Sequence, residues 1–217
     1  MIAFIGSTGS GKSTLVNLVP RFYDVSSGSI KINGKDIRDY DVLELRDKLG
    51  VIPQKAVLFS GTIADNIRFG KKDASDEEVE YAAKVAQAYP FIMEKENGFD
   101  EEISEGATNV SGGQKQRLSI ARALVRKAQI YIFDDSFSAL DFKTDAILRK
   151  ELKKEMTESI MLVVAQRISS IMEADQIIVL NEGKVVGKGT HHQLLKECQI
   201  YHEIATSQLS EEELANA

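Results

Sequence analysis

The sequence predicts an α/β fold whose sheet is mostly parallel. Short apolar runs at residues 2–5, 129–133 and 160–165 alternate with segments of helical spacing, as in strands that are covered on both faces. A glycine-rich loop also joins the first run directly to a helix that begins near Thr14. Together these two observations favour a layered fold with its ligand site at the carboxyl ends of the strands.

Composition limits the classes of protein that fit. A chain of 217 residues with 43% hydrophobic residues can form one large domain, or a domain with an insert. The net charge of −6 does not suggest a nucleic-acid partner. Cys198 is the only cysteine, which excludes a disulfide framework and a cysteine-based metal site and suits a reducing cytosol. The sequence contains no apolar stretch of 18 residues that could span a bilayer and no signal peptide.

The first third of the chain reads as short elements. Asn33-Gly34 marks a hairpin turn between residues 29–32 and 36–37, and residues 43–49 have the pattern of a short helix. Residues 50–53 read as a strand that ends at a proline, with Gln54 just beyond it. The first predicted strand begins directly after Met1, although a nucleotide-binding domain usually has more sheet before it. We therefore expect the chain to be a fragment of a longer polypeptide.

The middle of the chain has a helical character. A short helix is predicted at residues 62–67, and a longer one follows the capping signature that begins at Ser75. A further helix opens at Ser111 and continues through Leu124. We therefore predict a core formed by residues 1–54 and 128–217, with a mostly helical insert at residues 55–127.

The last third returns to alternating strands and helices. Asp134 and Asp135 end the strand at residues 129–133, a helix is expected at residues 144–156, and strands follow at residues 160–165 and 176–180. Several candidate residues follow strands directly and can therefore converge at one edge of the sheet. They are the glycine-rich loop after the first strand, Gln54, Asp134, Asp135 and Gln166. We interpret His191, His192 and His202 as surface residues, and the acidic tail at residues 211–213 as a solvated end.

The loop after the first strand fits the pattern that cradles phosphates, two glycines bracketing four residues before Lys-Ser. Its glycines permit a tight turn that points several N–H groups inward, and the next helix aims its positive end at the same place. Lys12 supplies a charge for the outer phosphates, and the Ser13 hydroxyl suits Mg²⁺. The predicted nucleotide-binding residues of this loop are Gly6, Ser7, Thr8, Gly9, Ser10, Gly11, Lys12, Ser13 and Thr14.

Further motifs resemble those of the ATP-binding cassette (ABC) family. Residues 110–114, Val-Ser-Gly-Gly-Gln, resemble its signature motif, residues 130–134 its Walker B strand, residues 138–141 its D-loop, and Gln54 its Q-loop. The order and spacing match over nearly the whole chain. Residues 58–63, with Asn66 and Ile67 after them, resemble the segment that follows the Q-loop in multidrug-type exporters.

The resemblance implies a P-loop NTPase core with a small antiparallel β portion, a helical subdomain and a mechanism. ATP and Mg²⁺ would be the cofactors, with Ser13, Gln54 and Asp134 around the metal. Family members close as head-to-tail dimers, so the signature would contact ATP bound by a second nucleotide-binding domain. That set comprises Ser111, Gly112, Gly113 and Gln114. The family's adenine-stacking aromatic lies upstream of the phosphate loop, and this chain has no residue for that role.

Two positions depart from the family pattern. Asp135 stands where a glutamate normally acts on the attacking water, and Gln166 stands where a histidine is usual. The carboxylate of Asp135 reaches about 1.5 Å less far than that of a glutamate. A glutamine at position 166 cannot carry a proton as a histidine can. The resemblance therefore implies that Asp135, Gln166 and Gln54 form a weakened catalytic set, as in the degenerate site of an exporter built from two unlike halves.

Our first hypothesis is the ATPase domain of such an exporter, a soluble domain at the cytoplasmic face of a bacterial plasma membrane. Its partners would be a non-identical nucleotide-binding domain and a transmembrane domain, and no nucleic acid. An ordinary ATPase of a homodimeric exporter, a soluble cassette ATPase acting on DNA or ribosomes, and a nucleotide switch without turnover remain the alternatives.

Overall fold

The structure of the chain, a computed structural model, describes residues 1–210 and Leu214. The helices are α1 (Lys12–Asn17), α2 (Val42–Asp47), α3 (Ile63–Arg68), α4 (Asp76–Val85), α5 (Tyr89–Met93), α6 (Gly112–Leu124), α7 (Phe142–Glu155), α8 (His191–Glu197) and α9 (Gln199–Gln208). The strands are β1 (Ile2–Ile5), β2 (Lys31–Ile32), β3 (Lys35–Asp36), β4 (Leu49–Ile52), β5 (Gly61–Thr62), β6 (Glu102–Ile103), β7 (Ile130–Asp134), β8 (Ile160–Val164), β9 (Gln176–Asn181) and β10 (Lys184–Gly189).

The main sheet has the strand order β10-β9-β1-β8-β7-β4. Strand β1 pairs in parallel with β8, where Ile2 lies opposite Leu162, and in parallel with β9, where Ile2 lies opposite Gln176. Strand β10 is antiparallel to β9, and β2 and β3 form the hairpin expected around Asn33-Gly34. The predicted α/β class is therefore confirmed, including its small antiparallel portion.

Apolar sequence runs explain the central strands. Ala3 and Ile5 of β1 are almost fully buried, and every residue of β7 is buried. Strands β1, β7 and β8 lie within one residue of the predicted runs. Continuous burial of this kind is what a sheet covered on both faces requires.

Contacts divide the chain into two units. The first contains Met1–Leu49, Ile132–Asp135 and the described residues from Ile160 onward, and the second contains Gly50–Tyr131 and Ser136–Ser159. Our sequence-based division, a core at 1–54 and 128–217 with an insert at 55–127, stays a prediction. Every helix in the described part of the chain is too short or too polar to cross a bilayer.

Reciprocal caps define where the helices of the second unit begin. Thr62, Ser75 and Ser111 each accept a hydrogen bond from the backbone N–H three residues later. In return, the side-chain oxygens of Asp65, Glu78 and Gln114 accept a hydrogen bond from the backbone N–H of the capping residue. Such boxes satisfy N–H groups that the first turn leaves without helical partners. The acidic tail at residues 211–213 lies outside the described residues.

The prediction that His191 is a surface residue is wrong. Its side chain is 2% exposed, and Nδ1 lies 2.7 Å from the hydroxyl oxygen of Tyr201. Helix α8 begins at His191 and packs against α9 and β10, so the first side chain of the helix is enclosed by these neighbours. His192 and His202 are exposed, as expected.

Burial lowers the pKa of His191 below its usual 6.5, and His192 lowers it further. The unfolded chain therefore binds this proton at a higher pH than the folded chain. We expect the His191 contribution to the free energy of unfolding to be complete above pH 6.5 and to be lost as the pH falls below it. The slope from this one proton is at most about 1.4 kcal/mol per pH unit.

Urea unfolding between pH 5 and pH 7 measures this effect. The variant His191→Asn keeps a polar group beside Tyr201 but cannot titrate, so the difference in stability between it and the native chain should narrow with falling pH. The exposed His202→Asn variant is the control and should parallel the native chain. A pH-independent difference for His191→Asn would contradict the assignment.

Candidate functional site

The loop between β1 and α1 has a backbone that only glycine accommodates at key positions. Gly9 and Gly11 adopt φ values of 81° and 96°, in the left-handed region. A Cβ atom on Gly6 would lie 2.0 Å from the carbonyl oxygen of Leu180, closer than any side chain tolerates. The N–H of Gly183 donates to the Ser10 carbonyl at 3.1 Å. The loop is therefore held against the end of β9 and its turn.

Lys12 lies across this loop. Its Nζ atom donates hydrogen bonds to the carbonyl oxygens of Gly6 and Ser7, both at 2.8 Å. Burial lowers the pKa of Lys12, while the carboxylates of Asp135 and Asp134 oppose that shift. The first turn of α1 contains no acidic residue, so an anion placed at this loop meets an ammonium group and backbone N–H groups.

Ser13 and Asp134 are brought together from distant parts of the sequence. The Ser13 hydroxyl donates to Oδ1 of Asp134 at 2.7 Å, and Asp134 is buried at the end of β7. A hydroxyl and a carboxylate are ligands that Mg²⁺ prefers, with phosphate oxygens and waters to complete its shell. In the described residues no three His, Cys, Asp or Glu side chains cluster as metal ligands. The oxygen pair thus fits a cation bound jointly with a phosphate.

Asp135 and Gln166 form a second polar pair. Nε2 of Gln166 donates to Oδ2 of Asp135 at 2.6 Å. Asp135 is buried, and its backbone N–H donates to the carbonyl of Val164 at 3.0 Å. Its φ of 48° lies in the left-handed region, which aspartate tolerates better than most residues. The side-chain amide can hydrogen-bond the carboxylate but cannot exchange a proton with it.

Gln54 belongs to the second unit and lies two residues beyond β4. The strand end that carries it is held by two side chains. Gln116 donates from Nε2 to the carbonyl of Pro53 at 3.2 Å, and the Ser136 hydroxyl donates to the carbonyl of Ile52 at 2.9 Å. These bonds link α6 and the segment after β7 to the base of the loop that contains Gln54.

The segment from Ser111 to Gln114 presents an open helix N-terminus. The Ser111 hydroxyl accepts from the N–H of Gln114 at 3.3 Å, and Oε1 of Gln114 accepts from the N–H of Ser111 at 2.9 Å. A Cβ atom on Gly112 would meet no atom within 4 Å, whereas one on Gly113 would lie 3.3 Å from the carbonyl oxygen of Ala139. A side chain at position 112 would therefore begin in space that the described residues leave open, whereas Gly113 lies close to the backbone after β7.

The segment around Asn66 forms a third feature of the second unit. Asn66 is buried and exchanges hydrogen bonds with the backbone of Phe59 at 2.8 and 2.9 Å. The guanidinium of Arg122 bonds Asn66 and the carbonyl of Val57, and it lies against the rings of Phe59 and Phe69. Burial lowers the pKa of Arg122 to about 10. Val57, Phe59 and Phe69 nevertheless remain exposed.

A model of the family described as "ABC transporter" matches residues 1–138. The chain belongs to the ABC transporter family. The P-loop NTPase core expected from the resemblance is thereby confirmed, as is the identity of the chain as an ABC transporter ATP-binding domain.

Individual ABC transporter relatives agree. The chain is 46% identical over 209 residues to an uncharacterized ABC transporter ATP-binding protein of Mycobacterium bovis. It is 44% identical over 207 residues to a candidate multidrug export ATP-binding/permease protein of Staphylococcus aureus. Each match covers 95% of this chain and 36% of the relative. The chain therefore spans about a third of the length of these relatives.

A solved structure of a bacterial Atm1-family ABC exporter with ATP bound superposes with a TM-score of 0.93. The two sequences are 39% identical, and the match covers 97% of this chain and 37% of the other. This likeness extends the family assignment beyond the residues of the family model to the C-terminal part of the fold.

Motif spacing in this ABC transporter domain predicted the polar groups that end strands, but it missed their supports. Gln116 and Ser136 are buried polar residues that hold the strand end before Gln54. Gln208 bonds the backbone on both sides of Arg167. A polar residue inside an apolar helix face could have drawn attention to Gln116. Nothing in the sequence distinguishes Gln208 from other surface glutamines.

The close approach of Gly6 to Leu180 predicts a specific loss of stability. Gly6→Ala places a methyl group against a backbone carbonyl that cannot move without disturbing β9, so the free energy of unfolding should fall by roughly 1–3 kcal/mol. Gly112→Ala places a methyl group in open space at a helix start, where the change should stay within about 0.5 kcal/mol. Urea denaturation of both variants measures the difference, and equal values would contradict the close approach.

Proposed function

We propose that this chain is the MgATP-binding motor domain of an ABC exporter, and that its own ATP site hydrolyses slowly. The proposal rests chiefly on one observation: the Asp135–Gln166 pair stands beside the phosphate loop and the Ser13–Asp134 pair. These groups supply phosphate and metal ligands, but the side-chain pair contains no histidine to carry a proton.

Within this proposal each residue has a role. The loop from Gly6 to Thr14 cradles the phosphates, with Lys12 at the outermost ones. Ser13 and Asp134 bind Mg²⁺, to which Gln54 would be a further ligand. Mg²⁺ would neutralise charge that develops on the phosphates during hydrolysis. Asp135 accepts a hydrogen bond from the attacking water, and Gln166 donates to the terminal phosphate.

Two features support slow hydrolysis. Asp135 is one methylene shorter than the glutamate that the family pattern has there, and its Oδ2 atom already accepts a bond from Gln166. A well-placed general base typically contributes about 10²–10⁴-fold to a rate. Loss of that reach weakens hydrolysis but leaves binding largely intact, because the phosphate loop and the metal ligands are unaffected.

The partners follow from the same proposal. Ser111, Gly112, Gly113 and Gln114 would contact ATP on a second nucleotide-binding domain, for which the open N-terminus of α6 is suited. A homodimer would contain two weakened sites, so we propose an unlike partner. The exposed Val57, Phe59 and Phe69 would face a transmembrane domain at the cytoplasmic side of the membrane, an arrangement supported by the permease portion named in the staphylococcal relative.

Removal of the Lys12 charge tests the phosphate site. Lys12→Ala should abolish MgATP binding, because the variant lacks both the ammonium group and the side chain that bonds the loop carbonyls. Equilibrium binding of a fluorescent ATP analogue measures this, with the exposed Lys31→Ala as the matched control. Micromolar affinity in Lys12→Ala, with a native unfolding curve, would contradict the proposed site.

Restoration of the family residues tests slow hydrolysis. Asp135→Glu combined with Gln166→His should raise single-turnover hydrolysis at this site at least tenfold, with MgATP affinity changed by less than about twofold. The glutamate side chain reaches further, although the left-handed backbone conformation at position 135 is less favourable for glutamate than for aspartate. Each single variant serves as a control. Brisk hydrolysis by the native chain alone would favour the ordinary homodimeric ATPase. No gain in the double variant would contradict the assignment of slow hydrolysis to these two residues.

A further inference from the structure

Gln208, the last residue of α9, bonds the segment that carries Gln166. Its Oε1 atom accepts a hydrogen bond from the backbone N–H of Ile168 at 2.8 Å. Its Nε2 atom donates to the backbone carbonyl of Gln166, also at 2.8 Å. One side chain thus holds the backbone on both sides of Arg167, at the point where the chain leaves β8.

Both ends of this connection are anchored. On one face of α9, Tyr201 and Ala205 are completely buried, and the Tyr201 hydroxyl forms a hydrogen bond with His191 of α8. Ile168 is also fully buried and begins a single helical turn that packs against α9. Gln208 therefore transmits the position of a fixed helix to an exposed residue, Gln166, whose own side chain reaches Asp135.

We propose that Gln208 is a positioning residue for the ATP site: it sets the backbone from which Gln166 contacts the terminal phosphate of MgATP. This inference rests on the function proposed above for Gln166. Because ADP lacks the terminal phosphate, the effect of Gln208 is confined to ATP. The C-terminal helix α9 is thereby coupled to the state of the nucleotide.

The side-chain amide is required for this role. Glutamine offers one acceptor and one donor at the same end, which matches the N–H of Ile168 and the carbonyl of Gln166. Gln208→Ala removes both bonds. Gln208→Glu keeps the acceptor but turns a carboxylate oxygen toward a carbonyl oxygen, so it loses the bond to Gln166 alone.

Nucleotide affinities of the whole chain test the proposal. Gln208→Ala should weaken MgATP binding by about three- to tenfold, the effect of one misplaced hydrogen bond, and leave MgADP binding unchanged. Gln208→Glu should show the same selective loss. Gln199→Ala is the matched control, since its side chain donates to Glu203 on the same helix, and this variant should bind both nucleotides as the native chain does.

A double-mutant cycle separates this inference from the proposed function. In a Gln166→Ala background, Gln208→Ala should have no further effect on MgATP affinity. If Gln166→Ala alone leaves the affinity unchanged, the proposed role of Gln166 is wrong and this inference is lost with it. If Gln166→Ala weakens MgATP binding but Gln208→Ala does not, or weakens MgADP equally, Gln208 is not a positioning residue.

Discussion

The pairing of β1 on both of its edges is the constraint on which the site depends. Its parallel registers with β8 and β9 bring the carboxyl ends of the three strands to one edge. Three segments therefore begin at the same edge of the sheet: the loop at Gly6, the segment at Gln166 and the turn at Gly183. A slip by one residue would exchange the two faces of β1. Because Ala3, Phe4 and Ile5 are all buried, the exchange would place side chains of different size in each other's packing space.

The candidate site contains several polar groups that are largely buried. Asp134 and Asp135 are only 7% and 6% exposed, and a buried carboxylate is costly without a partner. Ser13 and Gln166 each donate a hydrogen bond to one of them, and the nearby ammonium of Lys12 adds an attractive charge. On our proposal, the same low-dielectric surroundings would strengthen the attraction of the site for a metal-bound phosphate.

The supports of the site come from outside its motifs. Gln116 and Ser136 hold the strand end before Gln54, and Gln208 holds the segment around Gln166. In each case a side chain from another part of the chain bonds a backbone carbonyl or N–H of the segment that it supports, which satisfies part of the hydrogen-bonding need of that backbone. On our proposal, these bonds position groups that bind ATP without a proton relay.

The sequence by itself determined the α/β class and most strand and helix positions to within two residues, and it predicted the residues of the phosphate loop. These features depend on local sequence: continuous apolar runs, capping residues such as Ser75 and Ser111, and glycines at positions whose backbone conformation other residues rarely adopt. Local spacing also predicted Asp134, Asp135 and Gln166 as site residues, because they directly follow apolar runs.

Only the tertiary structure decided that Ser13 meets Asp134, that His191 is buried against Tyr201, and that Gln208 bonds the segment after β8. These contacts join residues that lie 10 to 121 positions apart in the chain. No local pattern encodes them, since they arise from the sheet register and from the packing of α8 and α9. Burial and hydrogen-bond partners are properties of the assembled fold, whereas periodicity is a property of the chain.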